Sequence, residues 1–213
     1  MEAPPPFPVA LALEGRPVLI LCGGEEARDK LTKLSATGAR ITVVAPSVVP
    51  DIERMARLRC CAWYARAFHP SDLQGVQLVL LSEPDAEFAR RLRELKRTYP
   101  FWLCAVDQPT FSDLFLVSTL ERGPVQIAIS TAGKAPLLAR RLRDELARGL
   151  DHAFVDFARK FADLRARLRT VPRHQRKERL ERALNGFAIE LRVGYPPGNP
   201  FGEDPPNGSG DLP

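Results

Sequence analysis

The stretch VLILCGGEEARDK, Val18–Lys30, decides how the rest of the chain is read. It opens with the short, unbroken apolar run of a strand buried on both faces. Two glycines follow, and then a segment with helical character. Strand, glycine turn and helix in that order begin a dinucleotide-binding βαβ unit. In the full G-x-G-x-x-G/A pattern the first glycine permits a tight turn. The second lets a diphosphate approach the backbone, and the third small residue lets helix and strand pack closely. Gly24 stands at the second position and Ala27 at the third, with Gly23 between them, while Cys22 holds the turn position. A cysteine there is tolerated if its φ is negative and costs about 1–2 kcal/mol if φ must be positive.

The pattern continues downstream. EEARDKLTKLSATG (25–38) carries Ala27, Leu31 and Leu34 at helical spacing, with Gly38 as a stop. ARITVVAP (39–46) reads as a second buried strand, SVVPDIERMARLR (47–59) as a short helix, and CCAWYARAF (60–68) as a third strand. GVQLVLLSE (75–83) is a fourth strand. PDAEFARRLRELKRTY (84–99) is a helix started by Pro84 and Asp85, and FWLCAVD (101–107) is a fifth strand. Strands alternating with helices predict an α/β, Rossmann-like parallel sheet whose ligand lies at the carboxyl ends of the strands. The loops 22–27, 45–47, 82–85 and 107–112 then share one edge. Beyond Asp107 the pattern changes. Residues 115–131 read as an antiparallel hairpin around ERGP, 136–150 as an amphipathic helix, and 151–191 as helical with a break at Val171-Pro172. From Gly194 the chain is rich in proline and glycine, and a disordered tail over 194–213 is expected.

Among 213 residues, 45% are hydrophobic and 27% charged, as in soluble globular proteins. No run approaches the length of a membrane span, and MEAPPPFPVA makes a poor signal peptide. Cys22, Cys60, Cys61 and Cys104 form no CxxC pair and have no histidine at metal spacing, so no metal site is expected. They are read as buried apolar thiols in a reducing cytoplasm. The net charge is +5, and between Arg140 and Arg182 there are 14 Lys/Arg against 7 Asp/Glu. That basic region calls for an anionic partner or is a set of solvated helix faces.

The order VLILCGGEEARDKLTKLSATGARITVVAP, LCAVDQP, GPVQIAISTAGKAPLLARRLRDEL and RHQRKERLERAL resembles one family. It is the precorrin-2 dehydrogenase/sirohydrochlorin ferrochelatase module of siroheme synthases, including stand-alone forms. GARITVVAP matches that family's second-strand motif almost letter for letter. Asp107 and Pro109 match its N-V-x-D-x-P. Ser130, Thr131, Gly133, Ala135, Pro136, Leu138, Ala139, Arg140 and Arg143 match its S-(S/T)-x-G-x-(S/A)-P-x-LA-(R/K)-x-(I/L)-R stretch. The resemblance implies an NAD-binding domain over 1–113, a dimerisation segment over 114–148, a helical tetrapyrrole-binding domain over 149–193, and a homodimer. It implies NAD-dependent oxidation of precorrin-2 to sirohydrochlorin, with ferrous iron insertion as a second step in bifunctional members. No membrane and no nucleic acid take part.

The same resemblance assigns Asp107 the catalytic role. Its cofactor positions are Cys22, Gly23, Gly24, Glu25, Ala45, Pro46, Ser82 and Glu83, and its substrate positions Ser130, Thr131, Gly133, Lys134, Arg140 and Arg143. A carboxylate at a strand end suits proton abstraction while hydride leaves for a nicotinamide, and guanidinium forks suit the substrate's acetate and propionate groups. Arg176 and Lys177 join Arg140 and Arg143 as positions to test for such contacts. Read without the family, Asp107 also suits a turn or cap before Gln108-Pro109. Three places depart from the family pattern: Cys22, Ser82-Glu83 where it has Thr and Asp/Asn, and Cys104 where it has Asn. They leave open a second class of function, a tetrapyrrole-binding carrier, chelatase or regulator without redox chemistry. A basic nucleic-acid binder is the weakest alternative, for lack of any such motif.

Overall fold

The computed structural model describes residues 6–83, 85–190 and 192–195. Pro84, expected to start a helix, and nearly all of the expected tail lie outside the described residues. The chain divides into two compact units, Met1–Val155 and Asp156–Pro213.

The first unit holds a parallel sheet of five strands: β1 (Pro17–Leu21), β2 (Arg40–Val44), β3 (Ala62–Tyr64), β4 (Leu78–Leu81) and β5 (Trp102–Ala105), ordered β3-β2-β1-β4-β5. Helices α1 (Glu25–Ser35), α2 (Pro50–Arg57) and α3 (Ala86–Leu95) connect them. Strand periodicity sorts the core. Val18 and Ile20 of β1 and Leu78 and Leu80 of β4 pack with Ala27 and Leu31 of α1 and Ile52 of α2. Their neighbours Leu19, Leu21, Val79 and Leu81 point the other way, onto Ala89 and Leu92 of α3. Each fully buried leucine or isoleucine contributes roughly 1.5–3 kcal/mol. Both faces are therefore covered, which is why β1 and β4 read as unbroken apolar runs.

A two-stranded antiparallel sheet follows, β6 (Ser118–Arg122) and β7 (Val125–Ile129). Gly123, at φ +59°, opens its two-residue turn, as a type II′ hairpin turn requires. Arg122 then donates to the carbonyls of Ala147 and Leu150 at the end of α4 (Pro136–Gly149), so the hairpin is tied to a helix C-terminus by a cation. Helix α5 (His152–Arg167) and, in the second unit, α6 (Arg173–Ala183) complete the described α-helices. In that unit the rings of Phe157 and Phe187 stack at 5.1 Å.

Three expectations need correction. The third strand spans three residues rather than nine. Arg59 at φ +60° makes a turn before it. After it, Arg66 pairs with Asp72 while His69 and Asp72 cap a short 3-10 turn (Pro70–Leu73), which takes the backbone off the sheet. The last helix stops at Ala183 instead of running to 191, and Gly186 at φ +79° continues the exit. Cys60 is exposed and Cys22 half-buried, so only Cys61 and Cys104 are buried thiols.

One contact sets the shape of the first turn. A Cβ on Gly23 would lie 2.2 Å from the Ser47 carbonyl oxygen and 2.9 Å from Val48 Cα, and the Gly23 carbonyl accepts from Val49 N at 2.9 Å. Both obstructions are backbone and cannot swing aside. Gly23→Ala should therefore destabilise the protein by about 1–3 kcal/mol, read as a lower denaturation midpoint. A wild-type midpoint would show that the two loops are free to part.

Candidate functional site

Register brings the expected loops to one edge. Leu21 pairs with Val44 on one side and Leu81 on the other, and Leu81 pairs with Ala105. Cys22, Ala45, Ser82 and Val106 are consequently the next residues along four parallel strands. A cavity of about 590 Å³ opens there, lined by Cys22, Gly23, Ala45, Pro46, Ser47 and Glu83. Phe68, Phe88 and Arg91 close its far side. The two rings contact at 5.3 Å. Trp63 steadies the near side by donating Nε1 to the Ala45 carbonyl at 3.1 Å. Nothing in the sequence marked Phe68, Phe88 or Arg91 as cavity residues. Their places follow from where the third strand ends and how α3 is rotated.

At the glycine turn Cys22 adopts φ +77°. The turn keeps the geometry that a first glycine serves, and the cysteine bears the strain. Burial, and then the neighbouring Glu83 carboxylate, push its thiol up to about 11. Gly24 is the N-cap of α1, and no side chain caps that helix. Its first-turn amides are thus left for a ligand. Glu25 turns its carboxylate to Arg28 at 3.1 Å. A Cβ on Gly24 would meet Glu83 Oε1 at 3.3 Å, so Glu83 stands over the turn. Ser82 is buried, and its hydroxyl has no hydrogen-bond partner among the described residues.

Asp107 lies two residues past β5, exposed and at φ +53°. Its carboxylate makes no hydrogen bond to a described residue, so the capping reading of this side chain finds no support there. The loop around it is held by other groups. Ser112 Oγ accepts from Ala105 N at 2.9 Å and donates to the Gln108 carbonyl at 3.0 Å. Asp113 accepts from Leu103 N at 2.7 Å and pairs with Lys96. The two neighbouring acids are thereby distinguished: Asp113 is committed to the backbone, Asp107 is free to act. Ser112 escaped the sequence reading because its clamp depends on the strand ending at Ala105.

The segment 130–143 links β7 to α4. Ser130 Oγ accepts from Ala132 N at 3.2 Å, and Thr131 Oγ1 accepts from Ala135 N at 3.2 Å. Ala132 and Gly133 are both left-handed, at φ +51° and +78°. Gly133 and Lys134 are exposed at the tip, and the Lys134 backbone N donates to the Thr131 carbonyl at 2.9 Å. Arg140 is exposed, while Arg143 is engaged by Asp144 at 2.7 Å. Among the described residues neither this segment nor Asp107 lines the 590 Å³ cavity. Arg176 and Lys177 belong to the second unit, where Lys177 lies 3.6 Å from Glu181.

The family described as putative NAD(P)-binding matches residues 9–118, just over half of the chain. The chain belongs to that family. A second match, described as sirohaem biosynthesis protein central, covers residues 122–149 directly behind it. Through both segments the chain is similar to siroheme synthases. Siroheme synthase 1 of Aeromonas salmonicida is 33% identical over 181 residues, 84% of this chain and 39% of that protein. Siroheme synthase of Neisseria meningitidis serogroup C is 32% identical over 184 residues, 84% of this chain and 38% of that protein. The chain thus spans about two-fifths of the length of these relatives. The solved structure of SirC, precorrin-2 dehydrogenase, has the same fold: TM-score 0.70 at 23% identity, over 83% of this chain and 88% of that one.

The NAD(P)-binding module keeps the features that the group requires. Gly24 offers a backbone approach, the start of α1 is uncapped, and the adjoining cavity is large enough for part of a dinucleotide. Glu83 is an acidic side chain over the turn that such a ligand has to displace or bind. The strain at Cys22 is testable by itself. Cys22→Gly removes a left-handed penalty of about 1–2 kcal/mol and adds a glycine entropy cost of about 0.5–1 kcal/mol. A net gain of up to about 1.5 kcal/mol, seen as a higher midpoint in denaturant, is expected. A lower midpoint would show that the thiol's packing and its contact with Glu83 outweigh the strain.

Proposed function

We propose that the protein oxidises precorrin-2 to sirohydrochlorin with NAD+, in siroheme biosynthesis, and that Asp107 is its general base. The observation that carries this reading is the contrast between two acids on one loop. Asp113 is bonded into the backbone. Asp107 is exposed, unpaired among the described residues, and fixed beyond a strand end at the ligand edge of the sheet. Membership of the family and the siroheme synthase relatives support the substrate class. When bound at the glycine turn, NAD+ supplies the hydride acceptor. Gly24 and the first amides of α1 orient its diphosphate, and Asp107 takes the proton lost by the tetrapyrrole. In a bifunctional enzyme the same carboxylate receives pyrrole protons as ferrous iron enters. Ser130, Thr131, Gly133, Lys134, Arg140 and Arg143 are proposed to hold the substrate's carboxylates. Residues 1–113, 114–148 and 149–193 are proposed to act as cofactor, dimerisation and tetrapyrrole-binding segments. The four free cysteines suit a cytoplasmic protein, and among the described residues no helix is long and apolar enough to cross a membrane.

A homodimer is part of the proposal. Leu137, Leu138 and Leu142 of α4 are 77%, 54% and 44% exposed, next to a hairpin that has only two strands. An isolated hairpin is marginal in water, and an apolar helix face beside it calls for a cover. Leu138→Asp should give a monomer in sedimentation velocity with the β1–β5 sheet intact by circular dichroism. A dimer of wild-type affinity would place the interface elsewhere.

The alternative, tetrapyrrole binding without redox chemistry, draws on the strained Cys22 and on Glu83 over the turn. NADH formation from supplied precorrin-2 separates the two. Asp107→Asn is the sharper test of mechanism. Asparagine tolerates the left-handed conformation and is nearly isosteric, so folding should be unchanged. Turnover should fall by roughly 10²–10⁴ while NAD+ affinity holds. Wild-type turnover in this variant would remove Asp107 from the mechanism.

A further inference from the structure

We infer that Arg93 is a positioning residue for the reaction: with Lys96 beside it, it ties the Asp107 loop to α3, the helix that also walls the cofactor cavity. The inference rests on the role proposed for Asp107 above. Arg93 lies in the last turn of α3, and Lys96 is that helix's C-cap, three residues on and so on the same face. Arg93 donates to the Thr110 carbonyl at 2.5 Å, and Lys96 pairs with Asp113. Both partners belong to the segment that follows Asp107. Thr110 is within the loop, and Asp113 is at its return to β5, where it accepts from Leu103 N.

The loop's own bonds close its turns and fasten its ends to β5. Gln108 N donates to the Ala105 carbonyl at 3.3 Å, Phe111 N to the Gln108 carbonyl at 3.1 Å, and Ser112 N to the Pro109 carbonyl at 3.3 Å. Pro109 has no N–H to add. The Thr110 carbonyl is not part of that network and receives Arg93 instead. The helix that supplies Arg93 is firmly seated, since Ala89 and Leu92 are fully buried in the core on that face of the sheet. Phe88 and Arg91 of the same helix line the 590 Å³ cavity. One helix thus carries both a wall of the dinucleotide cavity and the support of the loop that bears the base. Hydride and proton leave one substrate, so their two acceptors have to be held in a fixed relation. A misplacement of about 1 Å costs up to about a hundredfold in rate.

The test is NADH formation from precorrin-2 by the full chain, with NAD+ affinity measured by calorimetry beside it. Arg93 is exposed, so its replacement leaves the core intact, and melting temperatures establish that each variant is folded. Arg93→Ala should lower kcat about tenfold while KM for precorrin-2 and NAD+ affinity hold. Arg93→Lys keeps a cation that can donate to a carbonyl and should recover most of the turnover. Added to Asp107→Asn, Arg93→Ala should cost less than about twofold more, because it acts through the same group. Wild-type turnover in Arg93→Ala, a raised KM with kcat unchanged, or a further loss of about tenfold on top of Asp107→Asn overturns the inference. In each of those cases an impaired Asp107→Asn leaves the role of Asp107 standing. Wild-type turnover in Asp107→Asn, or no NADH from the wild-type protein, overturns that role and this inference with it.

Discussion

The candidate site depends on the closeness of two backbones. Gly23 lies against the Ser47 carbonyl and Val48, and its own carbonyl is bonded to Val49 N. That contact fixes the β1–α1 turn to the β2–α2 loop. It makes one wall of the cavity. A glycine is required there for lack of room, while its neighbour Cys22 is strained because the turn must be tight. Two adjacent residues therefore differ in what the turn asks of them: Gly23 cannot be larger, and Cys22 would be better smaller.

Strain recurs at the other motifs. Four described residues other than glycine have positive φ, and three of them, Cys22, Asp107 and Ala132, fall in the segments on which the family resemblance rests. Such conformations persist when the surroundings over-determine them. At Cys22 the determinant is the fixed position of Gly23. At Asp107 it is the Ser112 and Asp113 clamp. At Ala132 it is the pair of hydroxyls, Ser130 and Thr131, that accept from backbone amides on either side of the tip. Each strained residue is held by its own local scaffold, so the three can be altered separately.

The fold was largely legible because β1 and β4 are buried on both faces and so are apolar without interruption. The helices between them carry a single apolar stripe. The third strand was overread because edge strands are short and mixed in character, and its end is set by the Arg66–Asp72 pair and the His69 cap. The last helix was overread because a sequence as polar as that of α6, with Leu180 as its one large apolar residue, gives no inward face whose ending can be seen. In the candidate site, the glycine turn and Asp107 could be found from motifs. The cavity's far side could not, since Phe68, Phe88 and Arg91 are brought together only by the exit of β3 and the packing of α3.

The loop after β5 shows how one short segment divides structural and chemical duty. A carboxylate that accepts backbone amides and pairs with lysine is well placed to hold a chain and poorly placed to take a proton. Each bond it makes occupies a lone pair. Asp113 is in that condition. Asp107, six residues earlier, is spared it because Ser112 and Asp113 already satisfy the backbone of the turn. Its left-handed conformation places it beyond the ladder, where no strand neighbour claims the carboxylate. The loop can expose a free acid at the sheet edge because the positioning work is done by the residues that follow it.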